Sequence, residues 1–275
     1  MSDDKKAPVQ VDIGLRASAE LKAEVPSKSV GRLVDALTDA IRPFTEARGL
    51  RADQIRLQRE DVLIQIAEKA RNRAATEGSQ LLPVPPKMLV PFLEKASLEI
   101  DDEELKERWA SLLLAASTAY ESLLLSFVDI LSRISSQEAK LLEEVYDGTK
   151  DIPMDGVKDY IESNRIRVET NCRKLNTVVL RRDQHEKLFR DFVTETPLTL
   201  GRILGGNTRS QRDSIQHQNY PSEQRGTYFD SVSILERERL VQLQTASPEG
   251  INIRVRYFDI TYLGIKFLTA CRPPT

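Results

Sequence analysis

Residues that usually carry chemistry are scarce in this chain. It has two histidines, two cysteines and one tryptophan in 275 residues. Cys172 and Cys271 lie far apart and neither belongs to a CxxC pair, so a zinc site or disulfide framework is not expected. Both are read as reduced core or surface thiols. His185-Glu186 lacks the second histidine of a zincin helix, because Phe189 stands at that place. His217 sits among Gln216 and Gln218 in what reads as a loop. Each histidine is expected to be solvent-exposed or structural, and each to stand alone. There is no GxxxxGK, no GxGxxG and no GxSxG, which argues against a phosphate loop or a nucleophile elbow. No apolar run approaches the roughly 18 residues of a membrane span. No apolar core follows Met1–Lys6, as a signal peptide requires. A cytoplasmic protein with no cofactor, no metal and no catalytic residue is the expectation.

What is present is a globular balance, with 40% hydrophobic and 30% charged residues. The net charge of −2 gives no bulk reason to bind a polyanion. The halves differ, however. Residues 1–149 hold 20 Lys and Arg against 26 Asp and Glu, whereas residues 150–275 hold 20 against 16, with 15 of those 20 being Arg. The C-terminal half is mildly basic and permits a polyanionic partner.

Apolar spacing of three and four predicts helices along most of the chain. Residues 1–27 read as a flexible arm. Ser29 caps a first helix, which Pro43 kinks or ends. Ala52–Ala75 is a long amphipathic helix with Ile55, Val62, Ile66 and Ala70 on one stripe and Leu63 beside it, and Gly78 ends it. Pro83, Pro85 and Pro86 stiffen the entry to a short helix over Lys87–Ser97, with Pro86 in its first turn. Asp101 is expected to cap the next helix, with Asp102, Glu103 and Glu104 in its first turn. Asp102–Lys106 and Glu104–Arg108 are spaced as ion pairs on that helix. The position of this acidic run at a helix start explains it without a metal. Leu123–Arg133 is another helix, and Ser135 with Glu138 forms a capping box for the one after it. Lys158–Arg182 is helical, with Ile161, Ile166, Val168, Cys172, Leu175 and Val179 as candidate core. His185–Thr194 adds a short helix or turn.

Leu198–Arg225 looks irregular, with Gly201, Gly205 and Gly206 among many Gln and Arg, and is read as a surface loop or insertion. The pattern then changes. A helix over Tyr228–Arg239 precedes two alternating runs, Val241–Thr245 and Ile251–Tyr257, joined by Ser247-Pro248-Glu249-Gly250; this is a β-hairpin signal. Thr261 caps a final helix. Helix, hairpin and helix suggest a winged-helix-like module. The overall expectation is a mainly α chain with a small α+β part: a helical bundle over 28–122, then a winged-helix-like domain over 123–275 with an insertion at about 155–225. Arg254 and Arg256 share one face of the hairpin, since residues two apart do so. Arg237 and Arg239 end the preceding helix. These four are the candidate nucleic-acid contacts.

Several runs together resemble one family. They are Pro85-Pro86, Leu93-Glu94-Lys95-Ala96-Ser97, Asp101-Asp102-Glu103-Glu104-Leu105, Trp109-Ala110-Ser111-Leu112-Leu113, Ser126-Phe127-Val128-Asp129-Ile130-Leu131 and Ser136-Gln137-Glu138-Ala139-Lys140-Leu141-Leu142. They are similar to the abortive infection alpha family of bacterial phage-defence proteins. That pattern tends to carry a His-Pro pair before the Ser-Phe, where this chain has Leu124-Leu125. The resemblance implies a bacterial anti-phage role and brings no catalytic residues. The expected mode is non-enzymatic, through contact with an unknown protein partner, a phage component or a second copy of the chain. A nucleic-acid-binding regulator is the alternative, and an enzyme with a spatially assembled site the third.

Overall fold

The computed structural model describes residues 50–99, 102–147, 156–175, 184–209, 213–220, 225–247 and 253–273. The expected arm, the helix expected from Ser29, and Asp101, Gly148, Val179 and Pro248–Gly250 lie outside them. The described elements are α1 (Leu50–Glu77), α2 (Pro86–Ala96), α3 (Glu103–Thr118), α4 (Leu123–Leu131), α5 (Ser136–Tyr146), α6 (Val157–Leu175), α7 (His185–Glu195), β1 (Gly201–Arg209), β2 (Ser214–Gln218), α8 (Arg225–Arg237), β3 (Val241–Ala246), β4 (Ile253–Ile260) and α9 (Tyr262–Cys271). The chain is mainly helical, with its α+β part in the C-terminal region. No helix among the described residues is long and apolar enough to cross a membrane.

Local signals start and stop these helices. Gly78 takes a positive φ of 65° just past α1, and the Ser79 amide reaches back to the Ala74 carbonyl at 2.9 Å, closing a Schellman motif. Pro86 opens α2. Asp102, rather than Asp101, caps α3: its carboxylate accepts from the Glu104 and Leu105 amides at 3.0 Å. That leaves Asp102 turned away from Lys106, and the two expected ion pairs within α3 do not form. Lys106 instead meets Glu103 at 2.7 Å, Glu104 meets Lys140 of α5 at 2.6 Å, and buried Arg108 meets Glu143 of α5 at 2.5 Å. The Ser135–Glu138 capping box forms at α5, and Thr261 caps α9.

α1 buries Val62, Leu63, Ile66, Ala67, Ala70 and Ala74. It runs alongside α3 in the same direction, because Gln65 meets Lys106 and Arg73 meets Ser111. α3 therefore begins level with Gln65, and the first turns of α1 run on past it. Ile55, expected in the buried stripe, is exposed for that reason. Trp109 of α3 is fully buried with its ring edge-on to Phe92 at 5.3 Å. Phe127 of α4 and Phe267 of α9 meet in the same way at 5.5 Å.

The four strands form one antiparallel sheet in the order β2-β1-β4-β3. The hairpin expectation holds, but the expected loop over Leu198–Arg225 is wrong. Its residues supply β1, which lies between β2 and β4, and the edge strand β2. The glycines read as breakers are what β1 requires. A Cβ on Gly205 would collide with the His217 carbonyl, and one on Gly206 would lie 2.7 Å from the Arg254 carbonyl. A bulge between Ile203 and Gly205 leaves Leu204 as the extra residue, and Ile203 and Leu204 enter different cores.

The larger core joins α1–α5, α8 and α9 to Leu204, Val241, Phe258 and Ile260 on one side of the sheet. The smaller core lies on the other side. There α6 and α7 cover Ile203, Val255 and Tyr257 with Val168, Cys172, Phe189 and Phe192. Ile166, expected in this core, is exposed because Val168 and Cys172 define the inward face of α6. Cys172 and Cys271 are both buried and free, and burial pushes both thiols up, Cys172 to about 12.

Candidate functional site

Two residues per repeat on a strand place alternate side chains on one side of a sheet. In β4 this sends Val255, Tyr257 and Asp259 toward α6 and α7, and Arg254, Arg256, Phe258 and Ile260 the other way. Phe258 and Ile260 are covered by the helical core, whereas Arg254 and Arg256 are exposed beyond its reach. The sheet register sets their neighbours. Arg254 lies across from Asn207 of β1, which in turn lies across from Gln216 of β2. Arg256 lies across from Gly205, which faces Gln218. Between these side chains lies a hollow of about 230 Å³, lined by Gly206, Asn207, Gln216, Arg254 and Arg256.

The rim of the hollow is basic and aromatic. The Arg256 guanidinium lies 5.4 Å from the centre of the Phe229 ring on α8, within cation–π range. Arg225, the first residue of α8, lies 3.3 Å from the Gln218 side-chain amide, whose oxygen accepts from the guanidinium once the amide is rotated to satisfy both groups. Farther along, Tyr220 stacks on Tyr228 at 5.3 Å with an interplanar angle of 19°. Arg202 reaches the Tyr228 hydroxyl and Glu144, each at 3.4 Å. Among the described residues no ion pair engages Arg254 or Arg256. Their charge is uncompensated at a concave, hydrogen-bonding surface, which suits an anion with polar edges.

The structure separates the other two expected contacts from this pair. Arg237 bonds its neighbour Glu238 at 2.9 Å, and Glu238 also meets Arg133 at 2.8 Å. Arg239 holds a left-handed φ of 60° at the corner between α8 and β3, where its carbonyl accepts from Thr261. β3 starts from that corner with Val241 opposite Ile260, six residues along β4 from Arg254. That is about 20 Å of strand. Asn207, Gln216, Gln218, Arg225 and Phe229 were not singled out from the sequence. The pairing of β1 with β4 and with β2, and the packing of α8 against the sheet, bring them together, and no local pattern marks those contacts.

The covered side of the sheet holds the titratable groups. His185 and His217, expected to stand alone, share one hydroxyl. Thr208 Oγ1 lies 2.9 Å from His185 Nδ1 and 2.7 Å from His217 Nε2. A hydroxyl has one proton, so at most one ring accepts from it and at least one ring donates to its oxygen. All three residues are buried, and Phe189 stacks on His217 at 4.9 Å. Burial first, then His185, holds the His217 imidazole below its ordinary range, against a smaller opposing pull from Glu186. Asp259 is fully buried. Its Oδ1 accepts from Asn164 Nδ2 at 3.0 Å, and its Oδ2 has no partner among the described residues. Burial raises its carboxyl to about 7, with the Asn164 bond opposing. An acidic residue on the inward face of a strand is a signal the sequence offered here.

The family model described as abortive infection alpha matches residues 58–271. No curated protein and no solved structure matches the chain.

Proposed function

Because the chain belongs to the abortive infection alpha family, we propose that it takes part in phage defence by binding a phosphate-bearing ligand in the Arg254–Arg256 hollow. The observation that carries this reading is the pair of arginines, exposed and free of ion pairs among the described residues, set beside Asn207 and Gln216 in one concavity. Guanidinium groups match phosphate oxygens in a planar fork, and short amides supply donors and acceptors around them. The reading is one of binding rather than reaction. The lining holds no histidine, carboxylate or thiol, and His185, His217 and Asp259 lie on the covered side of the sheet, engaged with Thr208 and Asn164.

The test is phage plating with Arg254→Glu combined with Arg256→Glu. Both side chains are exposed, so expression and Tm should stay at the parent level. Protection is expected to disappear. Full protection by the double variant would overturn the reading and leave a protein partner at another surface as the mode of action.

A further inference from the structure

We infer that the ligand of this hollow is a single-stranded nucleic acid rather than a duplex, an inference that rests on the phosphate-binding reading above. Three features carry it. First, Arg254 and Arg256 are two residues apart on one strand, about 7 Å, a repeat close to that of an extended nucleotide backbone. Second, half-buried aromatic rings stand nearby: Phe229 under the Arg256 guanidinium and, farther along the sheet beside Arg202, Tyr220 stacked on Tyr228. Base faces stack on such rings only when they are unpaired, and each stacked base adds to affinity without reading sequence. Third, no element presents a duplex-reading surface beside the arginines. α8 is the helix that precedes the hairpin, where a groove-reading helix would be sought. It buries Ser231, Val232 and Leu235, and Ser231 is bonded to Glu138 of α5 at 2.7 Å. Its outward positions include Asp230, Ser233 and Glu236, with Arg237 held by Glu238. A helix face carrying two carboxylates is repelled by the phosphates that flank a major groove.

Asn207, Gln216 and Gln218 then meet base edges or sugar hydroxyls, while Arg254 and Arg256 track the backbone. The small volume fits one nucleotide at a time, with the neighbouring bases directed onto the aromatic rim.

The test is fluorescence anisotropy with the full chain and four labelled probes: oligo-dT, oligo-rU, a blunt DNA duplex and a blunt RNA duplex, titrated at two salt concentrations. Single strands are expected to bind at least tenfold more tightly than duplexes. Phe229→Leu keeps bulk but removes the ring, and Tyr220→Ala removes the second platform. Each is expected to weaken single-strand binding several-fold and to leave competition by heparin unchanged, with Tm confirming the fold. Arg254→Glu with Arg256→Glu is expected to abolish binding to every probe. Equal affinity for duplex and single strand, or indifference to both aromatic substitutions, overturns the single-strand inference and leaves the hollow as a phosphate site. Failure of all four probes and of heparin to bind overturns the phosphate-binding reading itself.

Discussion

The two sides of the β2-β1-β4-β3 sheet treat polar groups in opposite ways. On the side covered by α6 and α7, His185, His217, Thr208, Asn164 and Asp259 are taken out of water and bond to one another. On the other side, beyond the helical core, Arg254, Arg256, Asn207 and Gln216 stay in water around a hollow. The strands β1, β2 and β4 contribute to both sets, with His185 and Asn164 added by α7 and α6, so for the strand residues the difference comes from which side of the pleat each occupies. Buried polar groups contribute to stability only if they find partners, and leaving one unpaired is costly. Exposed ones contribute little to stability and stay available to a ligand. Substitutions on the two sides should therefore separate fold from binding.

The largest effect should come from the strand both sides share. Gly206→Val places a branched side chain 2.7 Å from the Arg254 carbonyl and against Phe189. We expect a loss of about 3 kcal/mol or more in urea unfolding, with loss of ligand binding, because the strand pair itself must part. Retention of both properties would mean that β1 and β4 are not held at this spacing.

Thr208→Val comes next and touches the covered side alone. It keeps the shape and removes the hydroxyl, leaving one ring nitrogen of each histidine without its partner. The expected cost is about 1–3 kcal/mol, with affinity in the hollow unchanged. A fall in affinity would show that the two sides are coupled.

Asp259→Asn should act with the opposite sign. The carboxyl is raised to about 7 in the fold from an ordinary value near 3.8, so the folded state holds a proton that the unfolded chain gives up between those values. Its stability contribution is complete below about pH 4 and is lost as pH rises through 7. The amide variant removes that slope and should raise Tm by about 2–5 °C at pH 8 relative to the parent. His217 works in the other direction. Its imidazole titrates below 6.5 in the fold, so stability falls as pH drops below 6.5. Thermal melts between pH 4 and 8 should thus show a steeper acid decline in Asp259→Asn than in the parent. A pH-independent difference between the two proteins would remove Asp259 as the cause.

The smallest effect is expected at Arg237→Ala. Its ion pair with Glu238 is largely exposed at the arginine, and the residue does not line the hollow. Less than about 0.5 kcal/mol in unfolding, and no change in single-strand affinity, are expected.

The elements with local signals were legible in the sequence. Pro86 at a first turn, the Ser135–Glu138 box, Thr261 before α9 and the alternation in β4 each act within a few residues, and each stands where the pattern put it. The stripe of α1 was legible from Val62 onward. Its exposed start depends on where α3 begins, which α1 does not encode. The charged pairs within α3 failed for a similar reason, since Lys140 and Glu143 of α5 compete for Glu104 and Arg108. β1 was hidden because glycine signals a turn when read alone. Only a neighbouring backbone at van der Waals distance gives it the opposite meaning. The two arginines of the candidate site followed from alternation along β4, and the rest required partners on β1, β2 and α8 that lie distant in the sequence.

Thr208 also bears on strand alignment. Gly205 and Gly206 give the middle of β1 no side chains with which to resist sliding by one position between β2 and β4, so that task falls to Ile203, Leu204 and Thr208. Such a slip would turn Thr208 out toward the hollow and press Asn207 against the two imidazoles, breaking both hydroxyl bonds at once. The shared hydroxyl thus acts as one detent beside the seating of Ile203 and Leu204 in the two cores. With all three in place β2 stays in step with β4, so the register that frames the hollow is kept from both sides of the sheet and outlasts the loss of the hydroxyl alone.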